Sequence, residues 1–273
     1  MMATIPSISR AFMLQRISSS PHITTKLRGV ASYSSSSSSS GLSSNDHVTS
    51  TKRVLTPLVV CGPSGVGKGT IISRFMEANH SKLSSNSNLP KFEFSVSHTT
   101  RGPRKGEIDG VHYHFTTKEY MQNKIDRGGF FIEFAHVHGN MYGTSFQSIL
   151  DASAGPNQHC LLDIDVEGVR SIKKFRDEQA RCHQLKTSIE PSLPDLQAKF
   201  IFIAPPSIDV LYDRLLGRGS ETPESLQRRF QNAKAEIEYG TKQGNFDVII
   251  VNDNLDMACQ EFSDAVCHMY MSN

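Results

Sequence analysis

Short apolar runs alternate with longer amphipathic stretches along most of the chain. Five runs have the length and the β-branched or aromatic content of buried strands, at residues 58–61, 92–97, 159–164, 199–204 and 246–251. The stretches between them predict helices at about 68–78, 148–152, 167–175, 223–239 and 256–270. This alternation is typical of βαβ units, so we expect an α/β fold with a parallel core sheet of five strands flanked by helices.

Two segments interrupt the alternation. Residues 97–147 are rich in Gly, Arg and aromatic residues, with strand-like pieces at 111–115 and 130–136 around a helical stretch at 119–127. They predict a small mixed α/β subdomain inserted into the core. Residues 176–197 contain Pro191 and Pro194 and show little periodicity, so we expect an exposed insertion loop there.

The first predicted strand ends in a glycine-rich turn. The spacing G-x-x-x-x-G-K between a strand and a helix is that of a P-loop. Its glycines let backbone N–H groups point inward, and the following helix N-terminus and lysine add positive charge. We therefore expect a polyphosphate to be bound by this phosphate loop, residues 62–70, which consists of Gly62, Pro63, Ser64, Gly65, Val66, Gly67, Lys68, Gly69 and Thr70.

One position departs from the usual motif. Ser or Thr normally follows the lysine and ligates Mg²⁺, but here Gly69 follows and Thr70 comes next. We therefore expect the metal to be held by Thr70, by water or by the nucleotide itself.

The N-terminal region has the composition of an import signal. Its first 45 residues contain four Lys and Arg, no Asp or Glu, and an unbroken serine run at 34–40. This composition, without an apolar signal core, is typical of mitochondrial and plastid transit peptides, although serine runs also occur in plain disordered tails. We expect residues 1–50 to be a transit peptide or disordered tail that directs import into a mitochondrion or plastid (chloroplast), and residues 51–273 to form the folded domain.

The rest of the chain is nearly neutral. Removing the four basic residues of the tail leaves 25 Lys and Arg against 27 Asp and Glu. Nucleic acid is therefore not an expected partner, and no apolar run approaches the roughly 18 residues that would span a membrane. Five cysteines without C-x-x-C spacing predict neither a disulfide framework nor a zinc site. We expect a soluble protein that works as a monomer.

Two groups of arginines suggest the kind of phosphate chemistry. Arg101 and Arg104, with Tyr113 and Tyr142, lie in the inserted segment and suit a monophosphate, which arginine holds by forked hydrogen bonds.

The second group lies in residues 211–239, where a mobile lid would carry Arg214, Arg218 and Arg229 over a triphosphate. Phosphoryl transfer between two anionic nucleotides depends on positive charge that arrives when both are bound. The two groups together favour a kinase.

Four blocks of sequence resemble guanylate kinases, the ATP-dependent GMP kinases of the P-loop nucleoside monophosphate kinase fold. They are FSVSHTTRGPRKGEIDGVHYHF at 94–115, FFIEFAHVHGNMYGTS at 130–145, LLDIDVEGV at 161–169 and FIFIAPPS at 200–207. The resemblance covers about residues 55–271 and is broken mainly by 176–197. It implies a core of 54–96, 148–210 and 240–273, a GMP-binding subdomain at 97–147 and a helical lid at 211–239.

The resemblance also implies roles for particular residues. ATP would bind the phosphate loop with Mg²⁺, and Lys68 would follow the transferred phosphate. The guanine edge would be met by Ser97, Glu133, Thr144 and Asp165. The GMP phosphate would be held by Arg101, Arg104, Tyr113 and Tyr142, with Glu107 orienting an arginine. Asp163 would belong to the GMP site and approach Mg²⁺ through water, and the implied catalytic set is Lys68, Arg101, Arg104, Arg214, Arg218 and Arg229.

Three other functions remain open. The GKGT sequence is also reminiscent of adenylate kinases, although Glu133 and Asp165 suit the N–H donors of guanine better than an adenine edge. A guanylate-kinase-like module that only binds proteins would be expected to lose the phosphate loop or the lid arginines. A GTPase switch would not need arginines for a second, monophosphate substrate.

Overall fold

The structure is a computed structural model, and it describes residues 53–83, 89–137, 139–184, 194–217 and 223–271. The predicted tail at 1–50 and the lid residue Arg218 lie outside these ranges. Eleven strands are described, namely β1 (Val54–Leu55), β2 (Leu58–Cys61), β3 (Lys91–Phe94), β4 (His98–Thr99), β5 (His114–Phe115), β6 (Phe131–Val137), β7 (Asn140–Ser145), β8 (Gln158–Asp163), β9 (Asp195–Leu196), β10 (Lys199–Ala204) and β11 (Val248–Val251). The described helices are α1 (Lys68–Leu83), α2 (Lys118–Arg127), α3 (Phe146–Ala152), α4 (Val166–Gln184), α5 (Ile208–Leu216), α6 (Pro223–Thr241) and α7 (Leu255–Met271).

The predicted five-stranded parallel sheet is present. Its order is β11-β10-β2-β8-β3, and all four strand pairs are parallel. Strand β2 is buried along its whole length, because strands of a parallel sheet are covered on both faces. The carboxyl ends of β2 and β8 therefore lie at the same edge of the sheet, which brings the phosphate loop after Cys61 close to the end of β8 at Asp163.

Helices pack on both faces of this sheet. One face is covered by α1, α5 and α7, where Phe75 contacts Phe92 and Phe262 edge to face with ring centroids 5.4 and 5.2 Å apart. The other face is covered by α3 and α4, with Ile149 and Ile172 fully buried. Burial of these side chains is the main force that holds the sheet and its edge in place.

The inserted segment forms a small sheet of its own. Its order is β5-β4-β7-β6, and α2 packs beside it. The predicted strands at 111–115 and 130–136 are observed as β5 and β6, although β5 keeps only two residues of the prediction. Helix α2 begins after Thr117, whose side chain accepts a hydrogen bond from the Tyr120 N–H, as an N-cap does.

The prediction of an exposed loop at 176–197 was wrong for the parts of this region that form a helix and a strand. Helix α4 continues to Gln184, and β9 pairs in parallel with β1. Buried Gln179 links the two parts: its amide donates to the Pro194 carbonyl at 2.7 Å and its oxygen accepts from the Leu196 N–H at 3.1 Å. The prolines suggested a loop, but they follow the helix, and the pairing of β9 depends on β1, which is far away in sequence. Residues 185–193 lie outside the described ranges.

No helix within the described ranges has the length and apolar character needed to cross a membrane.

Candidate nucleotide site

The phosphate loop has a backbone that requires glycine at several positions. Gly62, Gly65 and Gly67 all have positive φ, at 152°, 90° and 98°. A Cβ atom at Gly62 would lie 2.3 Å from the carbonyl oxygen of Ile203 on β10. These glycines therefore allow the chain to leave β2 tightly and curl before α1, the conformation in which backbone N–H groups converge on an anion.

Two distant elements hold the loop in place. Buried Asn252, the residue after β11, donates from its side-chain amide to the Val66 carbonyl at 2.7 Å. Leu215 of α5 packs so closely that a Cβ atom at Gly65 would lie 2.8 Å from it. The sequence reasoning missed Asn252, although its place directly after a strand at the carboxyl edge of the sheet was a usable signal.

Lys68 begins α1 inside this loop. Its side chain is 8% exposed, and its ammonium group donates to the Gly62 carbonyl. The lysine is thus folded across the loop, where a bound phosphate would meet both its charge and the helix N-terminus. Thr70 is exposed two residues later, and its N–H bonds to the Gly67 carbonyl at 3.1 Å.

Asp163 supplies a carboxylate beside the loop. It is 2% exposed, and within the described ranges neither of its carboxylate oxygens has a hydrogen-bond partner. A buried carboxylate without hydrogen bonds is costly, and a cation is the kind of partner that would offset this cost. Asp163 therefore fits a magnesium site, with Thr70 as the second candidate.

The described residues contain no cluster of three or more His, Cys, Asp or Glu side chains that could hold a metal ion. A magnesium ion here would take its remaining ligands from phosphate oxygens and water, as Mg²⁺ does in kinase sites.

Asp165 has a structural contact that the sequence analysis did not assign. Its carboxylate accepts the Gly168 N–H at 2.8 Å and so caps the start of α4. Burial raises the pKa of Asp165, although this hydrogen bond and the charge of Lys68 lower it. One carboxylate oxygen of Asp165 is therefore hydrogen-bonded to the start of α4, and the charge of Lys68 acts on this carboxylate.

Arg101 and Glu107 form a fork in the inserted subdomain. The two Arg101 terminal nitrogens donate to the two Glu107 oxygens at 3.0 and 2.8 Å, and the backbone N–H of Arg104 donates to the same carboxylate at 2.6 Å. Burial raises the pKa of Glu107, but these hydrogen bonds outweigh it and hold the pKa below its usual value. Glu107 thus stays ionised and orients Arg101, while the Arg104 side chain lies exposed nearby.

Two tyrosines complete this end of the subdomain. The Arg101 guanidinium lies 5.4 Å from the Tyr113 ring centroid, and Tyr142 is hydrogen-bonded to Arg101. The two tyrosine rings are 6.1 Å apart. The structure therefore brings together Arg101, Glu107, Tyr113 and Tyr142, which the sequence places up to 41 residues apart.

Three of the residues expected at the guanine edge also come together. Buried Ser97 and Thr144 have their hydroxyl oxygens 3.3 Å apart, and Glu133 on β6 pairs in register with Thr144 on β7. The pairing of β4, β7 and β6 creates this group, which offers two hydroxyls and a carboxylate on one small sheet.

The lid residues are placed only in part. A terminal nitrogen of Arg229, on α6, lies 3.5 Å from the Ser64 hydroxyl, at the outer limit of a hydrogen bond. Arg214 is half-buried in the last turn of α5, next to Leu215, which packs on the loop. Arg218 lies outside the described residues.

Glu236 is a charged residue near the loop that the sequence analysis missed. It is half-buried on α6, and burial raises its pKa to about 7, a shift that Lys68 opposes and Asp165 reinforces. Glu236 follows Arg229 by seven residues, which places both side chains on one side of the helix. From this spacing, Glu236 could have been predicted to lie near the loop together with Arg229.

Comparison with known proteins shows the family of the chain. A family model described as guanylate kinase matches residues 54–190 and 183–269. Guanylate kinase 1 of Oryza sativa is 45% identical over 205 residues, 75% of this chain and 46% of the relative. Guanylate kinase 1 of Arabidopsis thaliana is 46% identical over 73% of this chain and 44% of the relative. The chain thus spans about half the length of these plant relatives. Guanylate kinase of Schizosaccharomyces pombe is 42% identical over 78% of this chain and 90% of the relative.

Proposed function

This chain belongs to the guanylate kinase family, and on that premise we propose that it transfers the γ-phosphoryl group of ATP reversibly to GMP, and also to dGMP, giving ADP and the nucleoside diphosphate. The observation that carries the proposal is the presence of two anion-binding arrangements in one chain. The phosphate loop with Lys68 suits a triphosphate, and the Arg101–Glu107 fork with its tyrosines suits a monophosphate.

At the donor site, the loop N–H groups and Lys68 bind the ATP phosphates. Lys68 already hydrogen-bonds within the loop, so a phosphate oxygen would replace the Gly62 carbonyl as its acceptor. Arg229 reaches the loop from α6, and Arg214 and Arg218 join it when the lid closes. These side chains offset charge that spreads over the transferred group in the transition state.

Mg²⁺ accompanies ATP in this proposal. Asp163 and Thr70 are the residues that would hold it, Asp163 through water, because the buried carboxylate has no other partner within the described ranges. When bound, the ion would neutralise charge on the phosphate oxygens.

At the acceptor site, Arg101 and Arg104 hold the GMP phosphate together with Tyr113 and Tyr142. The carboxylate of Glu133 accepts from the guanine N–H groups, and the Ser97 and Thr144 hydroxyls bind the remaining polar positions. Asp165 acts at the same edge through its oxygen that does not cap α4. Since the acceptor phosphate is already an oxyanion, the reaction needs no general base, and lid closure serves to exclude water.

The N-terminal segment supports a proposal about location. Residues 1–50 have a basic, serine-rich composition, and we infer that they direct import into a mitochondrion or plastid. A fluorescent protein fused to residues 1–50 should enter one of these organelles. Diffuse cytosolic fluorescence would contradict the inference.

We further expect ATP and GMP to be the partners. We also expect the chain to act as a monomer, which light scattering on the purified protein would test.

A coupled assay of ADP release tests the proposed reaction. The protein without residues 1–50 is given MgATP and, separately, GMP, dGMP, AMP and UMP. Turnover should be fastest with GMP and require Mg²⁺. Faster turnover with AMP would make the protein a different nucleoside monophosphate kinase, and binding of a phosphopeptide without binding of ATP would make it a protein-binding module.

A further inference from the structure

Two short segments connect the inserted subdomain to the core. The first runs between β3 and β4. Its Ser95 N–H bonds to the Leu161 carbonyl of β8 in the core at 3.4 Å, and two residues later the Ser97 carbonyl accepts the His114 N–H of β5 in the subdomain at 2.9 Å. The second segment is Ser145, which ends β7 and is the N-cap of α3. The way in which these two segments are held together therefore helps to set how the subdomain sits on the core.

A chain of hydrogen bonds through buried serine hydroxyls joins the two segments. Ser148, in the first turn of α3, donates from its hydroxyl to the Val96 carbonyl at 2.6 Å, and its hydroxyl oxygen lies 2.9 Å from that of Ser145. Because a hydroxyl has only one proton to donate, Ser145 is the donor in the second of these bonds. Ser145 also accepts the Ser148 N–H at 3.0 Å. We call Ser145, Ser148 and the Val96 carbonyl the serine clasp.

The serine clasp lies directly beside the two hydroxyls that are expected at the guanine edge. Val96 precedes Ser97, and Ser145 follows Thr144. The hydroxyl oxygens of Ser97 and Thr144 are 3.3 Å apart. Successive side chains of a strand point to opposite faces, so the Ser145 hydroxyl points away from the face that carries Thr144. The serine clasp therefore holds the backbone next to both hydroxyls from the side opposite to the guanine edge.

From this geometry we propose that Ser148 is a positioning residue for the acceptor: its hydroxyl holds the two connecting segments together and so keeps Ser97 and Thr144 at the separation that binds guanine. The proposal rests on the GMP site proposed above. Ser148 is the middle member of the chain, so loss of its hydroxyl removes the bonds to Ser145 and to the Val96 carbonyl at the same time. None of the hydrogen bonds described for the clasp reaches the phosphate loop, so ATP binding should be preserved.

Steady-state kinetics of Ser148→Ala, with GMP and ATP varied in turn, tests this role. KM for GMP should rise by about 3- to 10-fold, the factor that corresponds to the loss of one neutral hydrogen bond. Both kcat and KM for ATP should change by less than about twofold, because the reacting groups and the phosphate loop keep their contacts. Equal rises in KM for both nucleotides would indicate a general structural defect and would overturn the proposal.

Ser153→Ala is the matched control, because it makes the same change at the other end of α3. Ser153 is also buried, and among the described residues its hydroxyl has no hydrogen-bond partner. It should keep the wild-type KM for GMP, and a value for Ser148→Ala equal to that of Ser153→Ala would overturn the proposal.

A double variant tests whether Ser148 acts through the guanine-edge hydroxyls. When Thr144→Val has already removed one of these hydroxyls, adding Ser148→Ala should raise KM for GMP by a smaller factor than it does in the wild type. Two factors that multiply in full would mean that Ser148 does not act through Thr144, which would contradict the proposal.

Amide hydrogen exchange of the wild type provides a test that does not depend on the folding of a variant. By linkage, GMP stabilises the serine clasp by the same factor by which the clasp strengthens GMP binding. Saturating GMP should therefore slow exchange at the Ser148 N–H, which bonds to Ser145, by about 3- to 10-fold more than at the Ser153 N–H, which bonds to the Leu150 carbonyl. Equal slowing at both amides would contradict the proposal.

The failure of this inference differs from the failure of the proposed function. A folded wild-type protein that does not phosphorylate GMP would overturn the kinase function and the inference with it. Normal wild-type kinetics together with an unchanged KM for GMP in Ser148→Ala would overturn the inference alone.

Discussion

The Arg101–Glu107 fork gives the sharpest prediction about the acceptor site. Glu107→Gln preserves the shape of the side chain but replaces one carboxylate oxygen with an amide nitrogen. In the wild type, the Glu107 carboxylate accepts from two Arg101 nitrogens and from the Arg104 N–H. After the change one of these donors faces the amide NH₂ group, which cannot accept, and the remaining hydrogen bonds lose their negative acceptor.

The size of the effect follows from the burial of the pair. Their side chains are only 14% and 5% exposed, so solvent screens the interaction weakly. Loss of one hydrogen bond to a charged group costs about 1.5–3 kcal/mol. If this cost falls on the orientation of Arg101 toward the GMP phosphate, KM for GMP should rise by about 10- to 150-fold.

Steady-state kinetics with each substrate varied in turn provides the assay. KM for GMP should rise while KM for ATP stays close to the wild-type value, because the hydrogen bonds of the fork to described residues all lie within the inserted subdomain. Glu119→Gln, an exposed acid on α2 in the same subdomain, should leave both values unchanged. The reasoning would be refuted by equal losses for both substrates, or by wild-type kinetics at Glu107→Gln in a protein with normal thermal stability.

Three further predictions concern other residues. Lys68→Ala should reduce kcat by at least about a hundredfold, because the lysine charge stabilises the transferred phosphoryl group; near-normal turnover would exclude it from catalysis. Glu133→Gln should reduce the GMP to AMP preference in kcat/KM by about 10-fold or more, through loss of a charged acceptor; an unchanged preference would remove it from the base site. Burial beside His114 lowers the pKa of His98 to about 4. Between pH 6.5 and 4 the unfolded chain therefore binds more protons, and stability should fall as the pH falls. In urea unfolding, the free energy of unfolding of His98→Phe should change less with pH than that of the wild type. The same pH dependence in both proteins would contradict this.

The fold was predictable where the sequence pattern is local and repeated. The strands of the core sheet are apolar runs bounded by turns, and β10 has the predicted bounds. The region 176–197 was not predictable in this way, because α4 extends through a polar sequence and β9 depends on a partner about 140 residues away. Buried Gln179 stabilises this arrangement through hydrogen bonds, which no hydrophobic pattern reveals.

The site was predictable to the extent that its chemistry lies in motifs. The spacing of its glycines and lysine identifies the phosphate loop, and the Arg101, Glu107 and tyrosine group lies in two sequence blocks that carry the resemblance. Asn252 and Glu236 come from elements that reach the loop only after folding, and neither belongs to a recognised motif. Asn252 lies at a strand end and Glu236 on the buried side of α6. These positions predict a place near the loop only when the neighbouring element is also known.

The central claim is that ATP and GMP bind in one cleft with their phosphates facing each other. The most direct test uses an adenosine and a guanosine joined through five phosphates, with Mg²⁺, as a single ligand. We predict one molecule bound per chain, more tightly than either nucleotide, because linking two ligands makes the second binding step intramolecular. It should displace both ATP and GMP. Displacement of only one nucleotide, or binding no tighter than ATP alone, would contradict the account.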